Sequence, residues 1–294
     1  MKKNKKKIFI LGGSGYIGSQ IVEKLKTQFP KSFISVDKRN NSDLRQNVRI
    51  NLNSREKILK LLNKHKPNII INCATHSALA YENKLQESVN EDLKSLLNIF
   101  EYLKENRTCK MIYFSSSYVY SGLNKRAVNE KDNLSPRHNF GIAKIFFENL
   151  IFKNHKNSII LRLSSVFGKG KALVPNNIYN FVTECSKEKK LTIWGSGNRK
   201  IQYIFINDVV KYTLKCFSIK PGIYNLGGKK HMTTKKVSKI IAKFYNGNLI
   251  FKKKKERETL SFMNINKITR STKNYPSNFY YSLNKYLNSF RSIT

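Results

Sequence analysis

The sequence predicts an α/β fold built on a doubly wound parallel sheet, and three observations lead there. Short apolar runs recur along the first part of the chain: Ile8–Leu11, Phe33–Val36, Ile69–Ala74 and Lys110–Phe114. Between them lie segments whose apolar residues follow a helical period. The first run passes directly into three glycines spaced three apart, Gly12, Gly15 and Gly18. Strands alternating with helices at this rhythm form a parallel sheet, and ligands of such sheets gather beyond the carboxyl ends of the strands.

The opening run is too short for a helix and reads as a strand. After the glycines, Ile17, Ile21, Val22 and Leu25 mark one face of a helix. A strand, glycine turn and helix in this order let the backbone approach a pyrophosphate, with the free N–H groups and positive end of the helix aimed at the anion. The second strand ends in Asp37, nineteen positions after Gly18. An acid there can take both hydroxyls of an adenosine ribose, so the pair of features reads as a dinucleotide site. Asp37 favours NAD(H) because a carboxylate repels a 2′-phosphate, although Lys38 and Arg39 directly after it could soften that preference.

Lys38 to Gln46 reads as a loop and Val48–Leu52 as a third strand. A helix follows from Ser54, a candidate N-cap, to Leu62, and Pro67-Asn68 ends it. Ile69–Ala74 has the unbroken apolar character of a strand buried on both faces. The next helix is expected from about Val89 to Lys104, and Lys110–Phe114 is the following strand. That strand runs out into Ser115-Ser116-Ser117-Tyr118-Val119-Tyr120, a cluster of hydroxyls at a carboxyl end. Ser135-Pro136 breaks the chain, and a helix starts near Phe140 with Lys144 about one turn in.

Composition narrows the alternatives. The chain has 294 residues, 40% of them hydrophobic, enough for a sizeable core. No apolar stretch approaches a membrane span. The basic start, Met1 to Lys7, precedes an apolar run too short for a signal peptide and reads as a solvated tail. A net charge of +38 arises mainly from Lys spread along the chain, without interleaved aromatic platforms or a nucleic-acid module, so specific nucleic-acid binding is not indicated. Cys73, Cys109, Cys185 and Cys216 form no paired motif, and the five histidines lack ligand spacing. Neither a metal nor a disulfide framework is expected, and a cytoplasmic location fits.

These segments together resemble the extended short-chain dehydrogenases/reductases, of the NAD-dependent nucleotide-sugar epimerase/dehydratase kind, whose sheet is Rossmann-like. The resemblance implies NAD as cofactor, held by Gly12, Gly15, Tyr16, Ile17, Gly18 and Asp37. It places Asn51-Leu52 beside the adenine, Cys73 and Ala74 near the nicotinamide ribose, and Asn90 at the opening of the next helix. Ser116 would bond the reacting sugar oxygen, Ser117 would lie beside it, and Lys144 would hold the nicotinamide ribose. Leu161–Gly168, Gly195-Ser196-Gly197, Ile206–Val209 and Gly222–Gly227 are similar to later family segments. The activity implied is epimerisation or dehydration of a sugar nucleotide through a 4-keto intermediate, or keto-sugar reduction, in surface polysaccharide synthesis.

Two positions depart from the family pattern. Where it has a catalytic tyrosine four residues before the lysine, this chain has Phe140. Tyr118, Tyr120 and His138 are the nearby groups that could substitute, with Tyr118 favoured because it can face the substrate from the serine strand. The alternatives are a relay through Ser116 and water in a narrower reduction, or a catalytically impaired protein that binds NAD(H) as a ligand or partner. At the nucleotide end, Ile201-Gln202-Tyr203 stands where the family commonly grips the diphosphate with an arginine. Arg199 and Tyr203 are the substrate-binding candidates here. The cofactor domain is expected over residues 1–170 and about 199–221, and a smaller mixed substrate lobe over about 171–198 and 222–294. By family likeness, the helices at Val89–Lys104 and Phe140–Phe152 would pair in a homodimer.

Overall fold

Four consecutive buried residues, Ile8–Leu11, form β1 in the interior of a seven-stranded sheet in the computed structural model, which describes residues 7–39, 46–123, 127–170, 176–254 and 259–291. The basic start up to Lys6, most of the loop after Arg39 and residues 171–175 of the expected lobe lie outside the described residues. Going along the chain, α1 (Tyr16–Gln28), β2 (Phe33–Asp37), β3 (Asn47–Arg49), α2 (Arg55–His65) and β4 (Ile69–Asn72) follow β1. Next come α3 (Ala78–Asn83), α4 (Leu85–Glu105), β5 (Lys110–Ser116), a 3₁₀ turn at Ser117–Tyr120, β6 (Ala127–Val128) and α5 (Asn139–Asn154). The remainder is β7 (Ser158–Leu163), β8 (Ser165–Phe167), α6 (Asn177–Glu188), β9 (Lys190–Trp194), β10 (Lys200–Phe205), α7 (Ile206–Lys215) and β11 (Gly222–Leu226). It closes with β12 (His231–Thr233), α8 (Thr234–Tyr245), β13 (Asn248–Lys252), β14 (Phe262–Met263), α9 (Asn266–Thr272) and α10 (Phe279–Arg291).

The large sheet has the order β11-β7-β5-β4-β1-β2-β3, and every pair in it is parallel. Parallel strands need covered faces. Along β1 the side chains alternate between two cores. Ile8 and Ile10 join one with Ile21, Val22 and Leu25 of α1, while Phe9 and Leu11 join the other with α2, α4 and α5. The strand order reverses between β1 and β4, which opens a crevice at their carboxyl ends, just past the paired Leu11 and Asn72.

The glycine turn occupies that crevice for steric reasons. Gly12 has φ +79°, and a β-carbon there would lie 2.7 Å from the Ala74 backbone. A β-carbon on Gly18 would meet the Gly12 carbonyl oxygen at 2.2 Å, so α1 can pack this close only with glycine at that position.

Several boundaries differ from the sequence reading. β3 ends at Arg49, which leaves Asn51 and Leu52 in the following loop. α4 begins at Leu85, because exposed Gln86 and Glu87 and buried Ser88 extend the helix, and Glu87 suits a first turn. The unexpected helix α3 is capped by Ser77, whose hydroxyl accepts from the Ala80 amide at 3.2 Å. β11 pairs with β7 in the large sheet, whereas β10 lies between β12 and β8 in a separate three-stranded sheet. Residues 222–226 therefore extend the seven-stranded sheet and 200–205 the three-stranded one. Among the described residues, no helix is long and apolar enough to cross a membrane.

A buried ion pair anchors the strand ends beneath the crevice. Arg162 of β7 bonds Glu148 of α5 at 2.6 Å and donates to the Tyr120 hydroxyl at 2.5 Å. Ser115 also donates to Glu148, and Tyr120 donates to Asn225 Oδ1 of β11 at 2.9 Å. Glu148→Ala leaves a buried guanidinium without its counter-ion. The expected loss is about 3–5 kcal/mol of unfolding free energy in urea titrations. A loss below about 1 kcal/mol would show that the network is not structural.

Candidate active site

A cleft of about 920 Å³ runs along the carboxyl edge of the large sheet to the three-stranded layer. One end is the glycine turn. Gly12, Gly15, Tyr16 and Ile17 line it, while buried Gly18 lies underneath as packing. α1 starts after Gly15 without a side-chain cap, so its leading amides are left for the cleft. Asp37 stands beside the turn and accepts from the Ser14 amide at 2.9 Å, the Arg39 amide at 2.9 Å and Arg39 Nε at 3.2 Å. Burial pushes the Asp37 carboxyl up, but these bonds outweigh it and hold the group below its ordinary value. Buried Leu52 and neighbouring Asn53 form the wall past Asp37, whereas Asn51 is exposed and lies off the cleft.

Beyond the turn, Cys73, Ala74, Thr75 and His76 leave β4 along the cleft floor. α4 presents Glu91, Asp92 and Ser95 to it. Asn90 is exposed and points elsewhere, because two helical positions amount to a rotation of about 200°. The inward residue of this turn is Asp92, and the helical period could have found it: Asp92 stands four positions before Leu96, on the face that continues to Ile99 and Leu103.

The serine run divides by strand alternation. Ser115 turns away to Glu148, while Ser116, Ser117 and Tyr118 line the cleft. Ser116 Oγ accepts from the Tyr118 amide at 3.3 Å. Tyr118 stands edge-on to exposed His138 at 5.2 Å and to Phe140 at 6.0 Å. Tyr120 turns inward, where its hydroxyl is engaged by Arg162 and Asn225, so it cannot face a substrate.

Lys144 lies under the cleft floor and is 2% exposed. Its ammonium donates to the Phe114 carbonyl at 3.0 Å, the Tyr113 hydroxyl at 3.1 Å and Thr75 Oγ1 at 3.2 Å. It also stands 5.2 Å from the centre of the Phe140 ring. Burial pushes its pKa down to about 8, against the fields of Asp92 and Glu148.

At the far end, Arg199, Lys200, Ile201 and Gln202 line the cleft. Tyr203 does not. It is 2% exposed and packs against Phe167 and Phe279 in the core, because alternation along β10 turns it to the opposite side from Gln202. Sequence reading also missed the group around Asp92. Asp92 accepts from His76 Nδ1 at 2.7 Å and from the buried Tyr81 hydroxyl at 2.7 Å.

The Lys144 shift has a thermodynamic consequence. Lysines of the unfolded chain titrate near 10.5, above the folded value of about 8. Above pH 8 the unfolded chain therefore holds the extra proton, and the cost of burying this charge fades as pH rises. Relative to Lys144→Met, the parent should gain up to about 1.4 kcal/mol of stability per pH unit from pH 8 towards 10. Urea titrations at several pH values measure this difference, and parallel curves would refute it.

Comparison with known proteins agrees with this architecture. The chain is 26% identical over 261 residues to the dTDP-4-dehydro-6-deoxyglucose reductase of Escherichia coli, covering 82% of each protein. It is 24% identical over 224 residues to a spore coat polysaccharide biosynthesis protein of Bacillus subtilis, covering 75% of this chain and 72% of the relative. The fold superposes on the UDP-glucose 4-epimerase of Thermotoga maritima, solved with UDP-glucose, with a TM-score of 0.86. That match has 19% identity and covers 98% and 99% of the two chains. Residues 8–227, from β1 to the end of β11, match the sequence profile of one family. The chain thus belongs to the NAD-dependent epimerase/dehydratase family.

Proposed function

We propose that this protein is an NAD-dependent oxidoreductase acting on a sugar nucleotide. The reaction is epimerisation or dehydration through a 4-keto intermediate, or reduction of a keto sugar, in surface polysaccharide synthesis. One observation carries the reading: a single cleft joins the glycine turn and Asp37, the Ser116–Tyr118 wall above buried Lys144, and the basic pair Arg199 and Lys200. The reductase and polysaccharide relatives support the substrate class.

The residues fit the dinucleotide. The turn is hollowed where a β-carbon at Gly12 or Gly18 would collide with backbone, and the uncapped start of α1 offers amides to an anion. At the other end, Ser164 Oγ is buried on the cleft wall without a partner among the described residues, as a site awaiting a polar ligand would leave it. Gly12, Gly15, Tyr16 and Ile17 would hold the pyrophosphate region, Asp37 the adenosine ribose, Leu52 the adenine, and Cys73 and Ala74 the nicotinamide ribose. When bound, NAD supplies or takes the hydride. The chain does the rest. Ser116 hydrogen-bonds the reacting sugar oxygen, with Ser117 and Tyr118 beside it. Lys144 holds positive potential under the site, which stabilises developing negative charge on that oxygen. Arg199 and Lys200 face the sugar-nucleotide diphosphate, which suits an arginine fork.

Phe140 favours a second reading, a family member that holds NAD(H) and sugar nucleotide without turnover. Purified protein mixed with NAD⁺ and UDP-, GDP- and dTDP-sugars, followed by reduced-cofactor absorbance and product analysis, separates the two. Turnover is expected, with Ser116→Ala slowing it by about 10²–10³-fold. Activity that appears only in Phe140→Tyr would establish the non-catalytic reading instead.

The homodimer also has support. Leu97 on α4 and Ile142 and Phe146 on α5 are each about half exposed, an apolar face suited to a second copy. Sedimentation should give a dimer for the parent and a monomer for Phe146→Glu. A monomeric parent would remove this assignment.

A further inference from the structure

Away from the cleft, the two-stranded sheet of β9 and β13 has one covered face and one open face. The strands pair in parallel, with Ile250 beside Thr192 and Lys252 beside Trp194. Leu191 and Ile193 turn into the core against α6 and α8, and Leu249 packs beside them. Strand alternation sends Lys190, Thr192 and Trp194, together with Asn248, Ile250 and Lys252, to the other side. None of these six is buried, and none lines the cleft.

Lysines on an edge strand guard against strand-to-strand aggregation, and lysines alone would be enough for that. This surface adds large apolar groups. Trp194 is 55% exposed, Ile250 38%, and Phe251 at the margin of the sheet 48%. Grouped exposure of this kind marks an interaction surface. The lysine run from Lys252 to Lys254 has no aromatic residue within it, but folding brings the indole of β9 onto it. Lys252 and Lys254 hold their ammonium groups 5.4 and 5.2 Å from the centre of the Trp194 ring. Lys235 of α8 stands 5.6 Å from that of Phe251.

The charge and the side chains select the occupant. Two acids approach the surface: Glu188 pairs with Lys190 at 2.9 Å, and Glu184 accepts from the Thr192 amide and hydroxyl at 3.0 and 2.6 Å. Among the described residues, no acid pairs with Lys235, Lys252, Lys253 or Lys254. A second copy would set the same cations against these, so like charges oppose it. A nucleic-acid base stacks on an open ring face, whereas two ammonium groups already stand against this indole. An anionic lipid surface satisfies both kinds of group. Indole and aliphatic side chains settle where headgroups meet acyl chains, and lysine stems lie along them while the ammonium groups reach lipid phosphates.

We propose that the open face of β9 and β13 attaches this protein to an anionic lipid surface. Trp194 and Ile250 enter the headgroup layer, and Lys235, Lys252 and Lys254 meet its phosphates. The attachment is peripheral, since no helix among the described residues is long and apolar enough to cross a membrane.

Trp194 is the only tryptophan of the chain, so its emission reports on this face directly. The full chain is mixed with vesicles of equal parts phosphatidylglycerol and phosphatidylcholine, or of phosphatidylcholine alone, and followed by emission and co-sedimentation. The emission should shift to the blue, and protein should sediment, with the anionic vesicles only. Each lysine at such a surface contributes about fivefold, so Lys252→Glu/Lys254→Glu should weaken partitioning by at least about 25-fold. Lys57→Glu/Lys60→Glu, an equal charge change on exposed positions of α2, should keep the emission shift and most of the binding. Circular dichroism and thermal unfolding verify that both variants are folded. Equal weakening by the two double variants, or sedimentation without an emission shift, would mean adhesion through overall charge and overturns the proposal. Absence of binding to the anionic vesicles overturns it as well. A shift produced by single-stranded DNA and not by vesicles assigns the face to nucleic acid, and one produced by raising protein concentration alone assigns it to a second copy; either result replaces the lipid surface.

Discussion

A lysine ammonium buried under the cleft floor sets the terms for everything around it. Moving such a charge out of water costs several kcal/mol unless donors and counter-charges compensate. Lys144 obtains that compensation from three groups on two segments: Thr75 after β4, and the Tyr113 hydroxyl and Phe114 carbonyl on β5. Two carboxylates, Asp92 of α4 and Glu148 of α5, contribute favourable fields. The ends of β4 and β5 and the two helices on that side of the sheet are thereby registered against a single cation. Glu148 serves twice, since it also neutralises Arg162 and fixes Ser115. The strand that carries Ser116 into the cleft is held from below by the same carboxylate that tempers Lys144.

The opposite end of the cleft depends on the absence of side chains. Gly12 approaches the backbone of Cys73 and Ala74 closely because β1 and β4 are adjacent at the point where the strand order reverses. Gly18 lets α1 come down onto Gly12. The floor is therefore made of main chain, and polar recognition falls to amides and to Asp37. Sheet topology supplies the crevice, and glycine keeps it open.

This division explains what the sequence revealed. Features encoded by local spacing were legible: the glycine turn, Asp37 at a strand end, the serine run and Lys144 on its helix. Features that depend on parity or rotation were not. Asn90 and Asp92 differ by two positions, yet on a helix that decides which one faces the cleft. Tyr203 was assigned beside Arg199, but strand alternation sends its ring into the core with Phe167. The placement of β10 and β11 in different sheets depends on pairing partners far apart in the chain, for which no local pattern exists. His76 was visible as a residue, but its partner is sixteen positions away and meets it only after α3 and α4 have folded back.

Replacing a catalytic phenol by a phenyl ring separates two duties that one residue would otherwise combine. The ring still fills its place, packing on Tyr81 and Tyr118 and lying against the Lys144 ammonium. Packing and cation–π attraction survive the loss of one oxygen. Proton exchange does not survive it, because the atom that would carry the proton is gone. Lys144 stays compensated by neutral oxygens and by the fields of Asp92 and Glu148. Asp92 is the charge shared between the cation and His76. One carboxylate on α4 thus couples the cation of α5 to the loop that follows β4.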